Sequence, residues 1–258
     1  MGLFDKKYCD VCGNKIGLLG NRKLEDGNLC KDCAKKLSPW FNERRHSTLA
    51  EIKDQLAYRE ANLEKVKEFN TTLTYGRRIL LHLDEDKRQF LVAKTSDLLA
   101  ENPDVLDYSQ VTGCDLDIDE SRTEIKREGP DGKEISYVPP RYTYEYDFYM
   151  VIRVNTPWFN EMRFKLNDSS VETNTQMAQG AFMNRGISAP GNNPDYQEYE
   201  RMGQEIKAAL MDLRQQVREE KAAADAPKVA VTCPYCGATT VPDASGCCEY
   251  CGGAIGAC

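Results

Sequence analysis

The 258-residue sequence predicts an α+β fold in which a small cysteine-rich module lies at each end of a central antiparallel β-domain. Three observations lead to this fold class. Paired cysteines occur near both ends of the chain, several strand-like segments follow one another without a helix between them, and two segments repeat apolar residues at helical spacing. Apolar residues make up 41% of the chain, which is enough for a buried core.

The N-terminal module, residues 1–46, contains the cysteine pattern C-x2-C-x17-C-x2-C. The four positions are Cys9, Cys12, Cys30 and Cys33. Each CxxC turn directs two thiolates towards one point, and two such turns complete the tetrahedron that Zn²⁺ favours in closed structural sites. A segment this short needs a metal or a disulfide to fold. The pattern predicts a treble-clef or knuckle-type zinc finger, with a redox dithiol as the alternative.

Residues 47–71 are predicted to form a connecting amphipathic helix. Thr48 and Glu51 match the capping-box pattern T-x-x-E. The apolar stripe that follows consists of Leu49, Ile52, Leu56, Leu63 and Val66. Arg59 interrupts this stripe, and a buried unpaired charge would disfavour a long homodimeric coiled coil. We therefore expect the stripe to be a surface for a partner or a second copy of the chain.

Residues 72–222 are predicted to form the β-domain. Its expected strands are Ile79–Leu83, Phe90–Ala93, Val111–Ile118, Tyr142–Val154 and Glu161–Leu166. The first two flank a polar turn, which predicts a hairpin. Glycines and prolines between residues 129 and 140 predict a loop. Because no helix separates the strands, we expect an antiparallel sheet curled into a sandwich or a partial barrel.

A flexible loop and a helix are expected to complete this domain. Residues 173–193 are rich in Asn, Gly, Ser and Gln, a composition typical of a flexible loop. A closing helix is predicted over residues 195–222, with its apolar stripe at Tyr196, Tyr199, Met202, Ile206, Leu210, Leu213 and Val217. Residues 223–230 then have the charged, alanine-rich composition of a linker.

The C-terminal module, residues 231–258, repeats the motif CxYCG, as CPYCG-x10-CEYCG. Its predicted metal ligands are Cys233, Cys236, Cys248 and Cys251. Glycine after each cysteine pair permits the positive φ that a knuckle turn needs. The spacing predicts a short zinc ribbon, with rubredoxin-like iron as the alternative. Cys247 lies outside the repeated frame and is expected to be a bystander, so the chain should bind two structural Zn²⁺ ions.

The sequence gives little indication of catalysis. The histidines, His46 and His82, are better explained as surface or sheet residues than as bases or ligands. Cys114 is better explained as a buried structural thiol than as a nucleophile. The alternating aspartates of one strand are best explained as a solvated face rather than a cation site: Asp115, Asp117 and Asp119. Nucleotide-binding and hydrolase motifs are missing, so we expect no catalytic residues and no enzyme activity.

Charge and cysteine usage limit the partners and the compartment. The net charge is −7, but residues 1–46 carry ten Lys or Arg against six Asp or Glu, so the first module is positive. Nucleic acid would therefore bind only there. The sequence shows no apolar run of about eighteen residues that could span a bilayer and no signal-peptide pattern. We expect a cytoplasmic protein with reduced thiols, which favours metal binding over disulfides for the eleven cysteines.

The N-terminal module, the central body and the C-terminal module each contain segments that resemble known protein segments. The opening, YCDVCGNKIGLLGNRKLEDGNLCKDCAKKLSPWF, resembles a bacterial domain of unknown function with a four-cysteine finger, found chiefly in Gram-positive bacteria. GRRILLHLDEDKRQFLV and YDFYMVIRVNTPWFNEMRFKLN resemble the body that commonly follows it, and TCPYCGATTVPDASGCCEYCGG is similar to a ribbon appended to several bacterial proteins. The resemblance implies zinc ligands at the eight cysteines and carries no known activity. The strand order also resembles pleckstrin-homology-type barrels, by fold analogy alone.

These observations predict a non-enzymatic scaffold or adaptor that binds protein partners through the β-domain and the zinc modules. A nucleic-acid-associated factor that uses the basic finger is the alternative. The oligomeric state stays open between a monomer and a homo-oligomer.

Overall fold

A computed structural model describes residues 6–174, 192–225, 230–243 and 245–255. The chain divides into two compact units, Met1–Arg214 and Gln215–Cys258. Most of the loop expected at 173–193, part of the linker expected at 223–230, and Cys258 lie outside the described residues. Among the described helices, none combines the length and the apolarity needed to cross a bilayer.

The N-terminal finger consists of two short hairpins and a helix. Its elements are β1 (Lys7–Tyr8), β2 (Lys15–Ile16), β3 (Arg22–Lys23), β4 (Asn28–Leu29) and α1 (Lys31–Lys35). β1 pairs with β2 and β3 pairs with β4, both antiparallel. Leu24 and Leu29 are fully buried and pack with Ile52 of the following helix in one apolar cluster. The finger and the start of this helix therefore share a core.

Helix α2 (Leu49–Glu68) begins at the predicted capping box. The Thr48 backbone N–H donates to the Glu51 carboxylate at 2.7 Å, and the Glu51 backbone N–H donates to the Thr48 hydroxyl at 3.3 Å. The prediction that the apolar stripe is a surface for a partner is wrong for Leu49 and Leu56, because both pack against the apolar cluster of the finger. The buried face is instead formed largely by polar side chains, together with Ile52 and Val66 at its ends. Arg59 and Asn62 of this face bond to polar groups far away in the sequence, so apolar spacing alone could not identify the face.

The first sheet contains β5 (Leu73–Gly76), β6 (Leu80–Asp84), β7 (Gln89–Ala93) and β8 (Leu106–Asp107), in that order and antiparallel. The predicted hairpin is confirmed, because Leu83 lies opposite Phe90 across β6 and β7. A short helix, α3 (Leu98–Glu101), lies between β7 and β8 in the chain. Leu81, Phe90 and Leu91 are fully buried, so this sheet has its own apolar core.

The second sheet is built on one long hairpin, β9 (Val111–Glu128) and β10 (Glu134–Val154). On its other edge β10 pairs with β11 (Glu161–Lys165) and β12 (Val171–Asn174), all antiparallel. The described strands β5 to β12 form two separate four-stranded sheets and no closed barrel. The pleckstrin-homology-like barrel is therefore not formed. The antiparallel arrangement itself is confirmed.

The loop predicted between residues 129 and 140 is largely strand. A turn at Gly129–Lys133 joins the two strands, and β10 continues from Glu134 through Pro139 and Pro140. The ladder register shifts between Ser136 and Arg141, so both prolines lie where the strands are out of register. Proline is tolerated at such a bulge because no ladder N–H is required there.

Helix α4 (Pro194–Asp225) closes the second sheet, as predicted. The ring of Tyr196 packs edge-on against Tyr146 and Phe148, at 5.1 and 4.9 Å between centroids. Ile206 and Leu210 are fully buried. In the second compact unit, β13 (Val231–Thr232) and β14 (Thr239–Thr240) form the hairpin of the C-terminal ribbon.

Candidate metal centres

The first candidate metal centre brings together the four predicted cysteines of the finger: Cys9, Cys12, Cys30 and Cys33. Their sulfur atoms all lie within 4.8 Å of one another, and the Sγ atoms of Cys12 and Cys30 are 3.7 Å apart. Cys12 is exposed and the other three are buried. A metal ion bound here would therefore lie at the edge of the finger core.

Two different backbone structures hold these thiols. Cys9 and Cys12 lie on a turn in which the Gly13 N–H donates to the Cys9 carbonyl at 2.8 Å, with Gly13 at a φ of +73°. Cys30 is the N-cap of α1, and its sulfur accepts a hydrogen bond from the Cys33 N–H at 3.4 Å. A knuckle followed by a hairpin and a helix start is the treble-type arrangement that the sequence predicts.

The second candidate centre is formed by the four predicted cysteines of the ribbon: Cys233, Cys236, Cys248 and Cys251. The sulfur–sulfur distances are 3.5 Å between Cys233 and Cys251, and 3.7 Å between Cys236 and Cys248. Cys233 and Cys248 are 1% exposed, whereas the second cysteine of each pair is exposed. The site thus has one buried side and one side at the surface.

The two halves of the ribbon repeat one backbone pattern. Gly237 and Gly252 donate to the carbonyls of Cys233 and Cys248, each at 2.8 Å. Both glycines have positive φ, +74° and +71°, which side chains other than glycine rarely adopt. The N–H of the first cysteine in each pair also donates to the carbonyl five residues later, at 2.8 Å in both halves. The repeated CxYCG sequence therefore gives a repeated structure.

Each cluster lowers the pKa of one thiol and raises the pKa of two others. Burial opposes ionisation of Cys9, but hydrogen bonds from the backbone amides of Cys12 and Cys30 lower its pKa to about 6. Burial raises the pKa of the Cys33 thiol, as do the neighbouring sulfur atoms. In the ribbon, backbone amides overcome the effect of burial and lower the pKa of Cys233 to about 7, whereas the neighbouring thiols outweigh the Gly253 amide and raise the pKa of Cys251 to about 12. Four crowded sulfurs cannot all ionise without a cation, so the clusters are suited to a structural metal ion.

The other residues considered from the sequence form no site. Cys114 is 2% exposed, and burial raises its pKa to about 12, which disfavours the thiolate that a nucleophile needs. Burial also lowers the pKa of His82. Cys247 lies outside both clusters and donates from its N–H to the Asp243 carboxylate at 2.9 Å.

The alternating aspartates are part of a surface ion-pair network. Asp115 contacts the Arg153 guanidinium at 2.5 Å and the Lys207 ammonium at 3.0 Å. Arg163 pairs with both Asp117 and Asp119. The three carboxylate side chains are about half exposed, as expected for a solvated face, and each has a cationic partner.

Sequence reasoning missed a pair of cavities on either side of Trp40. The first, of about 590 Å³, is lined mainly by apolar side chains that include Leu37, Ile79 and Val92. The second, of about 480 Å³, is more polar and includes Trp158. Trp40 and Lys94 line both. No local motif marks these cavities, because their walls come from segments far apart in the sequence.

Comparison with known proteins gives a family match in the N-terminal part of the chain. Residues 7–55 match the family model described as "Domain of unknown function (DUF4428)". The match includes the first cysteine cluster and the start of α2, and it brings no activity with it. Searches of the curated proteins and of the solved structures gave no match.

Proposed function

We propose that this protein is a non-enzymatic scaffold or adaptor in which two structural Zn²⁺ ions stabilise the terminal modules and a groove around Trp40 binds a protein partner. The observation that carries this proposal is that both metal centres are closed. Each cluster supplies four thiol ligands, which fill a tetrahedral site and leave no position for a substrate or a reactive water.

The sulfur geometry fits a tetrahedral zinc ion. A tetrahedron with Zn–S bonds of about 2.3 Å has sulfur–sulfur edges of about 3.8 Å. The distances of 3.5 and 3.7 Å in the ribbon, and 3.7 Å in the finger, are close to this value. The described cysteines form no disulfide, which supports a reducing, cytoplasmic location as part of the proposal.

The absence of catalytic activity is also part of the proposal. Among the described residues, the two cysteine clusters are the groups of metal-ligand side chains that converge on one point. His82 is buried in a strand and its Nδ1 lies 3.3 Å from the Thr71 hydroxyl, which supports a structural role. These features support a binding role rather than a catalytic role for the protein.

The groove around Trp40 is the proposed protein-binding surface. Its apolar wall can bury the side chains of a partner segment, and the exposed Lys94 between the two cavities can pair with an acidic residue. The indole N–H of Trp40 is buried and has no acceptor in the described structure. Tryptophan is among the residues that contribute most to protein interfaces.

Affinity purification of the full chain, with identification of the bound proteins, tests this function. We expect one defined partner, whose binding to the purified chain is weakened about tenfold or more by Trp40→Ala. Lys94→Glu should weaken the same binding, because Lys94 lines both cavities. Lys133→Glu, at an exposed turn outside the groove, is the matched control and should have no effect. Partner binding that survives both groove variants would rule out this surface.

Nucleic-acid binding by the finger is the second candidate function, and a cluster of cations supports it. Arg44 lies near Arg22 and Arg45, and its pKa is lowered by burial and then by these two charges. Clustered cations of this kind favour polyanions. If this candidate is correct, DNA or RNA binding should fall steeply with salt and should be weakened by Arg45→Ala.

A further inference from the structure

The turn between β2 and β3 presents two adjacent leucines to solvent. Leu18 is 88% exposed and Leu19 is 83% exposed. They lie between Gly17 and Gly20, and the Gly20 N–H donates to the Gly17 carbonyl at 2.9 Å, which closes the turn. Single exposed leucines are common on proteins, but an adjacent pair at a protruding turn is a feature of interaction sites.

The finger has an apolar core that does not use these leucines. Ile16, just before the turn, is 7% exposed and belongs to the core cluster together with the metal-ligand candidates Cys9 and Cys30. The turn is therefore anchored at its base, and the leucine side chains project away from the packed part of the finger. We call Leu18 and Leu19 the leucine tip.

Four cations lie on elements next to the turn that carries the leucine tip, namely strands β1, β2 and β3 and helix α1. Lys15 and Lys31 line the same surface depression as the two leucines, and Arg22 donates to the Leu19 carbonyl at 3.4 Å. Lys7 lies opposite Ile16 across β1 and β2. We call Lys7, Lys15, Arg22 and Lys31 the basic collar. One carboxylate, Asp32, lines the same depression, so the collar keeps an excess of positive charge.

This charge excess is a property of the whole finger. Residues 6–46 carry ten Lys or Arg against five Asp or Glu. Four thiolates with one Zn²⁺ add two negative charges, which leaves the module positive. By contrast, the C-terminal ribbon has no Lys or Arg from residue 231 to the last residue. The positive field is therefore centred on the module that bears the leucine tip.

We propose that the leucine tip and the basic collar form a docking site for an anionic phospholipid bilayer. The leucines insert into the interfacial region while the collar cations contact headgroup phosphates. Interfacial binding strengthens with both buried apolar area and attraction to anionic lipids, and this surface offers both at one place. A nucleic acid would use the cations but would leave two exposed leucines without a function.

Co-sedimentation of the zinc-loaded full chain with lipid vesicles tests this proposal. We expect binding to vesicles that contain phosphatidylserine, little binding to vesicles of phosphatidylcholine alone, and weaker binding at high salt. The double substitution L18S/L19S should reduce binding to the anionic vesicles about tenfold or more. K15E/K31E should reduce it to a similar extent. The matched controls L99S, at a half-exposed leucine of α3, and K133E should bind like the unsubstituted chain.

The zinc content of each variant shows whether its finger is folded. If L18S/L19S loses zinc, hydrogen exchange of the unsubstituted chain provides the test, with protection of residues 15–22 expected when anionic vesicles are present. Three results would overturn the proposal: no binding to anionic vesicles, equal binding to both kinds of vesicle, or full binding by a folded L18S/L19S variant. If the chain binds DNA or RNA equally well with and without the two leucines, and binds no vesicle, the basic collar is a nucleic-acid surface instead.

Discussion

The guanidinium of Arg59 and the carboxylate of Asp104 form a buried ion pair, with 2.7 Å between Nη1 and Oδ1. Asp104 is fully buried and Arg59 is 6% exposed. The second carboxylate oxygen of Asp104 accepts a hydrogen bond from the Ser38 hydroxyl at 2.7 Å. Arg59 also donates to the carbonyls of Lys36 and Asn102. This pair therefore joins the end of the finger, α2 and the segment that leads into β8.

Removing one member of this pair should be strongly destabilising. We expect Asp104→Ala to lower the free energy of unfolding by about 3–5 kcal/mol, because it leaves the Arg59 charge buried without a partner. Glu64→Ala, which breaks the exposed pair between Glu64 and Lys67, is the control and should cost about 0.5 kcal/mol or less. Urea unfolding followed by circular dichroism measures both. An Asp104→Ala variant as stable as the control would show that the pair does not hold these segments together.

The residue scale shows what the sequence could and could not predict. The eight cysteines were identifiable because each CxxC turn is local and its spacing has a geometric meaning. The role of Arg59 was not, because its partner Asp104 lies 45 residues further along the chain. In the sequence of α2 considered by itself, Arg59 interrupts the apolar stripe. In the folded protein it lies on the buried face.

At the scale of elements, the closing helix and the inner part of the long hairpin were predictable, and the outer part of the hairpin was not. The apolar residues from Tyr196 to Leu210 recur at helical spacing because this face of α4 packs on the second sheet. The outer part of the β9–β10 hairpin has both faces largely exposed, as the residues from Glu134 to Ser136 illustrate. When neither face of a strand pair is buried, apolar and polar residues do not alternate along its sequence. The glycines and prolines of this segment were then the strongest local signal, and they indicate a loop.

The contact between α4 and the second sheet depends on a glycine. Gly203 is buried, and a Cβ at this position would lie 2.5 Å from Cδ1 of Leu116 on β9. Gly203→Leu should lower the stability by about 1–3 kcal/mol, since overpacking at a tight contact costs this much. Thermal unfolding measures the change. Ala208→Leu, at an exposed position of the same helix, is the control and should be near neutral.

A second substitution, in Leu116 on the β9 side of this contact, makes the Gly203 prediction specific. Leu116→Ala should recover part of the stability lost in Gly203→Leu, because it removes the side-chain atoms that the new residue meets. Strictly additive losses in the double variant would contradict the packing explanation. The loss would then come from a change in the helix itself.

At the scale of the whole molecule, the two metal modules differ in charge and in construction. The finger shares its apolar core with α2 and is positively charged, whereas the ribbon belongs to the second compact unit and carries no basic residue from position 231 onward. The sequence could predict both modules because metal binding replaces a large apolar core in segments of this size. It could not predict the cavities beside Trp40, because they arise only when distant segments pack together.

The central claim is that each cysteine cluster holds one structural zinc ion, and elemental analysis with native mass spectrometry tests it most directly. Protein purified without added metal should contain about two zinc ions per chain. Cys12→Ser and Cys236→Ser should each retain about one, because each removes a ligand from a different cluster. A chain that contains iron, or fewer than two zinc ions, or a single variant that still binds two, would contradict this account.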